Sequence, residues 1–144
     1  MKPTILHFSG HGTVSGQLCF ENDSGELKPV SCKAIASLLN AVEHRVEFVV
    51  LNCCYSASEA SVLSDCTSAI VCMSDAVSDT LAVCFATGFY QAIFAGQSVK
   101  NAFAVGRSLV MMELERRDDV LVLVPGARPR LLAGAMIVGS RATN

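Results

Sequence analysis

The chain has 144 residues, 51% of them hydrophobic and 17% charged, with 11 Lys plus Arg against 13 Asp plus Glu and a formal net charge of -2. That length suits one domain with a real core, and the composition excludes both intrinsic disorder and a charge-rich coiled coil. No basic stripe runs through it, which speaks against a nucleic-acid partner. Low charge with high apolar content favours strands buried on both faces, as in a parallel sheet between helix layers.

Read in chain order, residues 4–8 (TILHF) form a short apolar run closed by Ser9, Gly10, His11 and Gly12. The pattern predicts a buried strand ending in a Gly-rich turn. Residues 14–20 alternate weakly and lead into Glu21-Asn22-Asp23-Ser24-Gly25, a small hairpin or surface excursion. Ser31 opens a helix from Cys32 to about His44, with Ile35, Leu38, Leu39 and Val42 on one face. His44 then sits where a helix C-terminus favours a cation. Residues 46–52 (VEFVVLN) give the clearest strand, and residues 69–73 (AIVCM) a further buried one. Asp79 is a candidate N-cap for a helix over 80–95, with Gly96 as its stop. Gly88 falls inside that helix, where it predicts close packing of helix on sheet. Ser98 caps the next helix, 99 to about 116, whose last turn carries Arg116 and Arg117. Residues 120–124 predict a strand stopped by Pro125-Gly126, and residues 131–138 another, interrupted by Gly134. Buried strands alternating with helices define an α/β fold with a mainly parallel sheet, in three α/β/α layers.

Seven cysteines, at positions 19, 32, 53, 54, 66, 72 and 84, are an odd number lying largely in apolar runs. With no CxxC pair among them, they predict free thiols in a reducing, cytoplasmic setting. The opening MKPTILHFSG has too short an apolar stretch for a signal peptide. Residues 80–99 are 20 uncharged positions, but Gly88, Gln91, Gly96, Gln97 and Ser98 interrupt them, so a buried helix is expected and no membrane span.

The first two buried strands are joined by a crossover helix, so they should be parallel neighbours with their carboxyl ends on one rim. Ligands bind at that rim in open α/β sheets. His11 and the Cys53-Cys54 pair follow the two strand ends. An imidazole beside a thiol is the pairing a cysteine nucleophile needs, since the thiolate is the reactive form. Glycines around His11 allow a sharp turn and close approach of substrate, and their amides could stabilise an oxyanion. Side chains alternate along a strand, so one of Cys53 and Cys54 faces the rim and the other the core. His7, inside the strand and opposite to Phe8, is expected to be packed. A metal site from His7, His11, Cys53 and Cys54 lacks a closing ligand pair at the usual spacing. Asp75 and Asp79 follow the third buried strand on the same rim.

HFSGHG and LNCCYS, with His11 and Cys54 separated by 43 positions, together with SDTLAVCFATGFYQAIFAGQSVKNAFAVGR, resemble the caspase-like cysteine peptidases, and most closely their CHAT subgroup. The resemblance runs from about Ile5 to Arg107. It implies one caspase-like domain over residues 1–144, with a fragment or C-terminal part of a larger protein as the alternative. It also implies a cysteine endopeptidase in regulated proteolytic signalling, with His11 as general base or acid and Cys54 as nucleophile. The backbone amides of Gly12 and Cys54 would form the oxyanion hole, and no metal or cofactor would be needed. Cys53 stands where the family usually has a small residue. The two strands that usually precede the His strand in such folds are missing, which implies a partner chain or regulatory domain on that sheet edge, or a homodimer. Asp75 and Asp79 would then be an acidic wall for a basic side chain of a peptide substrate. The alternatives are a catalytically inactive CHAT-like interaction module and, remotely, an α/β serine hydrolase, for which no G-x-S-x-G elbow exists.

Overall fold

The computed structural model describes residues 4–43, 45–114 and 120–127. His44, the arginines at 116 and 117 and the strand expected over 131–138 lie outside these.

Two sheets are present. The larger has the order β1 (Ile5–Ser9), β5 (Phe48–Asn52), β6 (Ala69–Met73), β7 (Leu121–Pro125). Strands β1, β5 and β6 are parallel, and β7 runs antiparallel to β6. The smaller sheet is an antiparallel meander of β2 (His11–Gly12), β3 (Leu18–Glu21) and β4 (Leu27–Val30). The expected hairpin is therefore real, with its tight turn at Asn22–Gly25, where Asn22 Oδ1 accepts from the amides of Ser24 and Glu26.

Helix α1 (Cys32–Ala41) starts as expected, Ser31 Oγ accepting from the Ala34 amide. It stops three residues earlier than its periodicity suggested, because Val42 is already extended. A short helix α2 (Ala57–Ala60) and a 3-10 turn (Ser61–Cys66) follow β5. Helices α3 (Asp79–Phe94) and α4 (Val99–Leu114) form a pair. The N-cap of α3 is Ser78, not Asp79. Ser78 is extended and its hydroxyl accepts from the Leu81 amide at 3.2 Å, leaving Asp79 in the first turn, where its charge suits the helix dipole. Ser98 caps α4 through the Asn101 amide, as expected. Gly96 ends α3 at φ +82 and divides the long uncharged run between two helices. No helix among the described residues is long and apolar enough to cross a membrane.

The sheet is covered on both faces, which is why β5 is buried at every position. Phe48, Val50, Val71 and Met73 point toward α3 and α4, where Phe85, Phe89 and Phe103 fill the space. Val49, Leu51, Ile70 and Cys72 point the other way, toward Cys32, Ala36, Ala60 and Leu63. Gly88 packs against the Cα of Gly106 in α4, not against the sheet: a Cβ there would lie 3.1 Å from it. Small residues at that crossing let the two helix backbones approach closely. A second helix after α3 returns the chain to the rim it left, so β7 enters from the opposite end to its neighbours. This is the physical reason for its antiparallel sense.

Candidate active site

The carboxyl ends of β1 and β5 are adjacent, with Ser9 opposite Asn52 in register. Beyond Ser9 the chain does not remain an open turn. His11 pairs with Cys19 and Gly12 with Leu18, so the smaller sheet holds the backbone of His11 while leaving that residue exposed. Gly12 is where the two halves of the site meet. A Cβ built there would lie 2.1 Å from the carbonyl oxygen of Cys54 and 3.5 Å from Cys53 Sγ. Only glycine lets this strand rest on the turn after β5.

The two cysteines diverge as alternation requires. Cys53 is buried in the core on the α1 side, and burial pushes its thiol up to about 12. Such a thiol stays protonated near neutral pH and is a poor nucleophile. Cys54 is half-buried on the α3 side. Its Sγ accepts from the Val77 amide at 3.3 Å and faces the Val77 carbonyl, to which the thiol donates at 3.6 Å. Among the remaining thiols, Cys32, Cys66 and Cys72 are buried, and Cys19 and Cys84 are half-buried. Burial raises Cys32 to about 11 and Cys72 to about 12.

Three supporting residues escaped sequence reasoning. Tyr55 has φ 57, a left-handed conformation rare for a non-glycine residue and frequent at functional sites. Its amide donates to the Asp75 carbonyl at 3.2 Å. Ser56 is buried beneath the turn, its hydroxyl 3.0 Å from the Leu51 and Cys53 carbonyls and accepting from the Met73 amide at 2.9 Å. It thereby ties the ends of β5 and β6 together. Asn52 donates to the Ala82 carbonyl of α3 at 2.9 Å, and its buried Oδ1 has no hydrogen-bond partner among the described residues. A small polar residue just past a buried strand was the only cue to Ser56.

Asp75 and Asp79 occupy different surroundings. Asp75 is half-buried beside the Tyr55 turn, its carboxylate accepting from the Ala76 amide at 2.7 Å. Asp79 lines a groove of about 590 Å³ between α3 and α4, with Cys84, Leu109 and Glu113. His7 is packed as expected: Nδ1 shares a 2.5 Å hydrogen bond with the Tyr90 hydroxyl, and burial lowers its pKa. Among the described residues no cluster of three or more His, Cys, Asp or Glu side chains is placed to hold a metal ion.

A mainly parallel sheet between helix layers, with a His-Gly strand resting on a cysteine turn at the carboxyl rim, defines the class of the caspase-like proteins. Residues 1–140 match the CHAT domain family model, and the chain belongs to that family. It is 30% identical over 115 residues to a Roc-COR-CHAT protease of an unknown prokaryotic organism, covering 76% of this chain and 11% of that protein. It is 25% identical over 97 residues to a probable protease of Gillisia limnaea (strain DSM 15749 / LMG 21470 / R-8282), covering 66% of this chain and 17% of that protein. The aligned part of this chain is thus a small share of the length of either relative.

Proposed function

We propose that this domain is a cysteine endopeptidase in which Cys54 attacks the scissile carbonyl of a peptide and His11 handles the protons. The observation that carries this reading is the contact of Gly12 with the Cys54 carbonyl, which brings the His-Gly strand against the cysteine turn. Attack forms the Sγ–C bond and puts negative charge on the carbonyl oxygen. The amides of Gly12 and Cys54 are the donors for that charge. The Cys54 amide donates to no acceptor among the described residues, so it is available for the role. Collapse breaks the C–N bond as His11 gives a proton to the leaving amine. Water, deprotonated by His11, then cleaves the thioester and frees the thiol. Both relatives are named proteases, which supports the peptidase class.

A peptide carrying a thiol-reactive electrophile should label the wild-type protein and the Cys53→Ala variant, but not Cys54→Ala. Labelling lost in Cys53→Ala alone would move the nucleophile to Cys53. No labelling, with no turnover across a substrate panel, would favour the interaction module instead.

The acidic side chains near the rim suggest a preference for a basic residue before the cleaved bond. Asp75→Ala should lower kcat/KM for such substrates about fivefold relative to neutral ones, as expected for one partly screened charge contact. Asp79→Ala tests whether the carboxylate in the groove between α3 and α4 contributes to the same preference. Unchanged preference in both folded variants rejects the wall.

Among the described residues β1 is paired only with β5, and no described strand lies along its other edge. We place on that edge another segment, a partner chain or a second copy, since an uncovered apolar edge strand invites association. Its covering would suit regulated cytoplasmic proteolysis.

A further inference from the structure

We infer that the main-chain N–H of Val77 is a catalytic group that stabilises the Cys54 thiolate when it forms. The inference rests on the reading of Cys54 as nucleophile and adds a group to that site. In a simple His-Cys pair the imidazolium balances the thiolate. Here the backbone amide of Val77 already donates to Sγ at 3.3 Å, while the carbonyl of the same residue accepts from the thiol at 3.6 Å. Both main-chain polar groups of one residue therefore contact the sulfur. The carbonyl partner serves the thiol. When the proton leaves to solvent water, the N–H remains directed at the anion, and a hydrogen bond to a charged acceptor is stronger than one to a neutral acceptor.

Val77 is held in place from several directions. The Val77 side chain packs into the α3 side of the core. Ser78 caps α3 immediately after it. On the other side, the Asp75 carboxylate accepts from the Ala76 amide at 2.7 Å, and the Asp75 carbonyl accepts from Tyr55 at 3.2 Å. The Tyr55 bond joins this loop to the residue that follows Cys54. Sulfur and amide are thus tied by two connections separated by one residue, so the donor does not have to reorganise when charge appears. His11, on an exposed strand of the smaller sheet, is then left to protonate the leaving amine and is not required to generate the thiolate.

Val77→Pro removes the N–H and keeps the carbonyl. The rate of Cys54 alkylation by iodoacetamide at neutral pH should fall roughly tenfold, as expected from losing one hydrogen bond to a charged group, offset in part by the higher nucleophilicity of a more basic sulfur. His11→Ala should stay within about threefold of wild type in the same assay, although it loses peptide cleavage. Wild-type alkylation in a folded Val77→Pro variant overturns the inference. So does a loss in His11→Ala as large as that in Val77→Pro. If the proline variant does not fold, the Val77 amide proton is followed by NMR in the wild-type protein. Its chemical shift should move with the pH midpoint of Cys54 alkylation, and a shift indifferent to that midpoint overturns the inference. If Cys54 is inert in the wild-type protein, the peptidase reading itself fails, which separates the two outcomes.

Discussion

Replacing Gly12 with alanine should cut peptide cleavage about a hundredfold and destabilise the fold by about 2 kcal/mol. The added Cβ would lie 2.1 Å from the Cys54 carbonyl oxygen, and that atom belongs to backbone. It cannot swing aside as the end of a side chain would. Relief requires β2 to lift from the turn after β5, which also displaces His11. A shift of about 1 Å between catalytic groups is enough to produce a loss of that size. Gly10→Ala provides the contrast. Its Cβ would meet only the Phe8 ring, at 3.2 Å, and a small ring shift relieves it. Cleavage kinetics and thermal melts of both variants, side by side, check the claim. Equal behaviour would mean that the contact at Gly12 does not align the site.

Phe85→Ala should lower unfolding free energy by about 4 kcal/mol, seen as a drop in the urea midpoint with little change in slope. Phe85 is fully buried. It stacks on Phe89 at 5.6 Å, meets Phe103 edge-on at 5.7 Å, and fills the space that a Cβ on Gly106 would enter. Alanine leaves a cavity between rigid helix backbones that cannot close over it. A loss below about 1 kcal/mol would mean that the helix pair packs on the sheet through other contacts.

Much of this was legible from residue order. The β-branched runs marked β5 and β6, the Ser31 and Ser98 caps marked two helix starts, and strand alternation put Cys53 and Cys54 on opposite faces, while the choice of Cys54 for the rim came from the family resemblance. Adjacent cap formers misled at Ser78 and Asp79, since either can cap and backbone conformation decides between them. Gly88 signalled close packing correctly but not against which element, because a glycine reports an approach and not its partner. The left-handed Tyr55, the Ser56 bridge and the Val77 contacts left almost no trace. Each arises from contact between the turn after β5 and the chain at or after the end of β6. Such pairings between distant segments appear only once the sheet has brought two strand ends side by side.

The unequal burial of the thiols determines where an oxidant acts. Peroxide converts thiolates, not thiols, to sulfenic acid. Cys32, Cys53 and Cys72 are kept protonated by the core around them, so a chain with seven free thiols presents only a few to such attack. If Cys54 is the nucleophile proposed above, the sulfur that takes the substrate is also one that peroxide can oxidise. Cys53, one residue away but facing the other side of the sheet, is badly placed to resolve the sulfenic acid as a disulfide. Oxidation at Cys54 would therefore proceed toward the irreversible acids unless an external thiol intervenes.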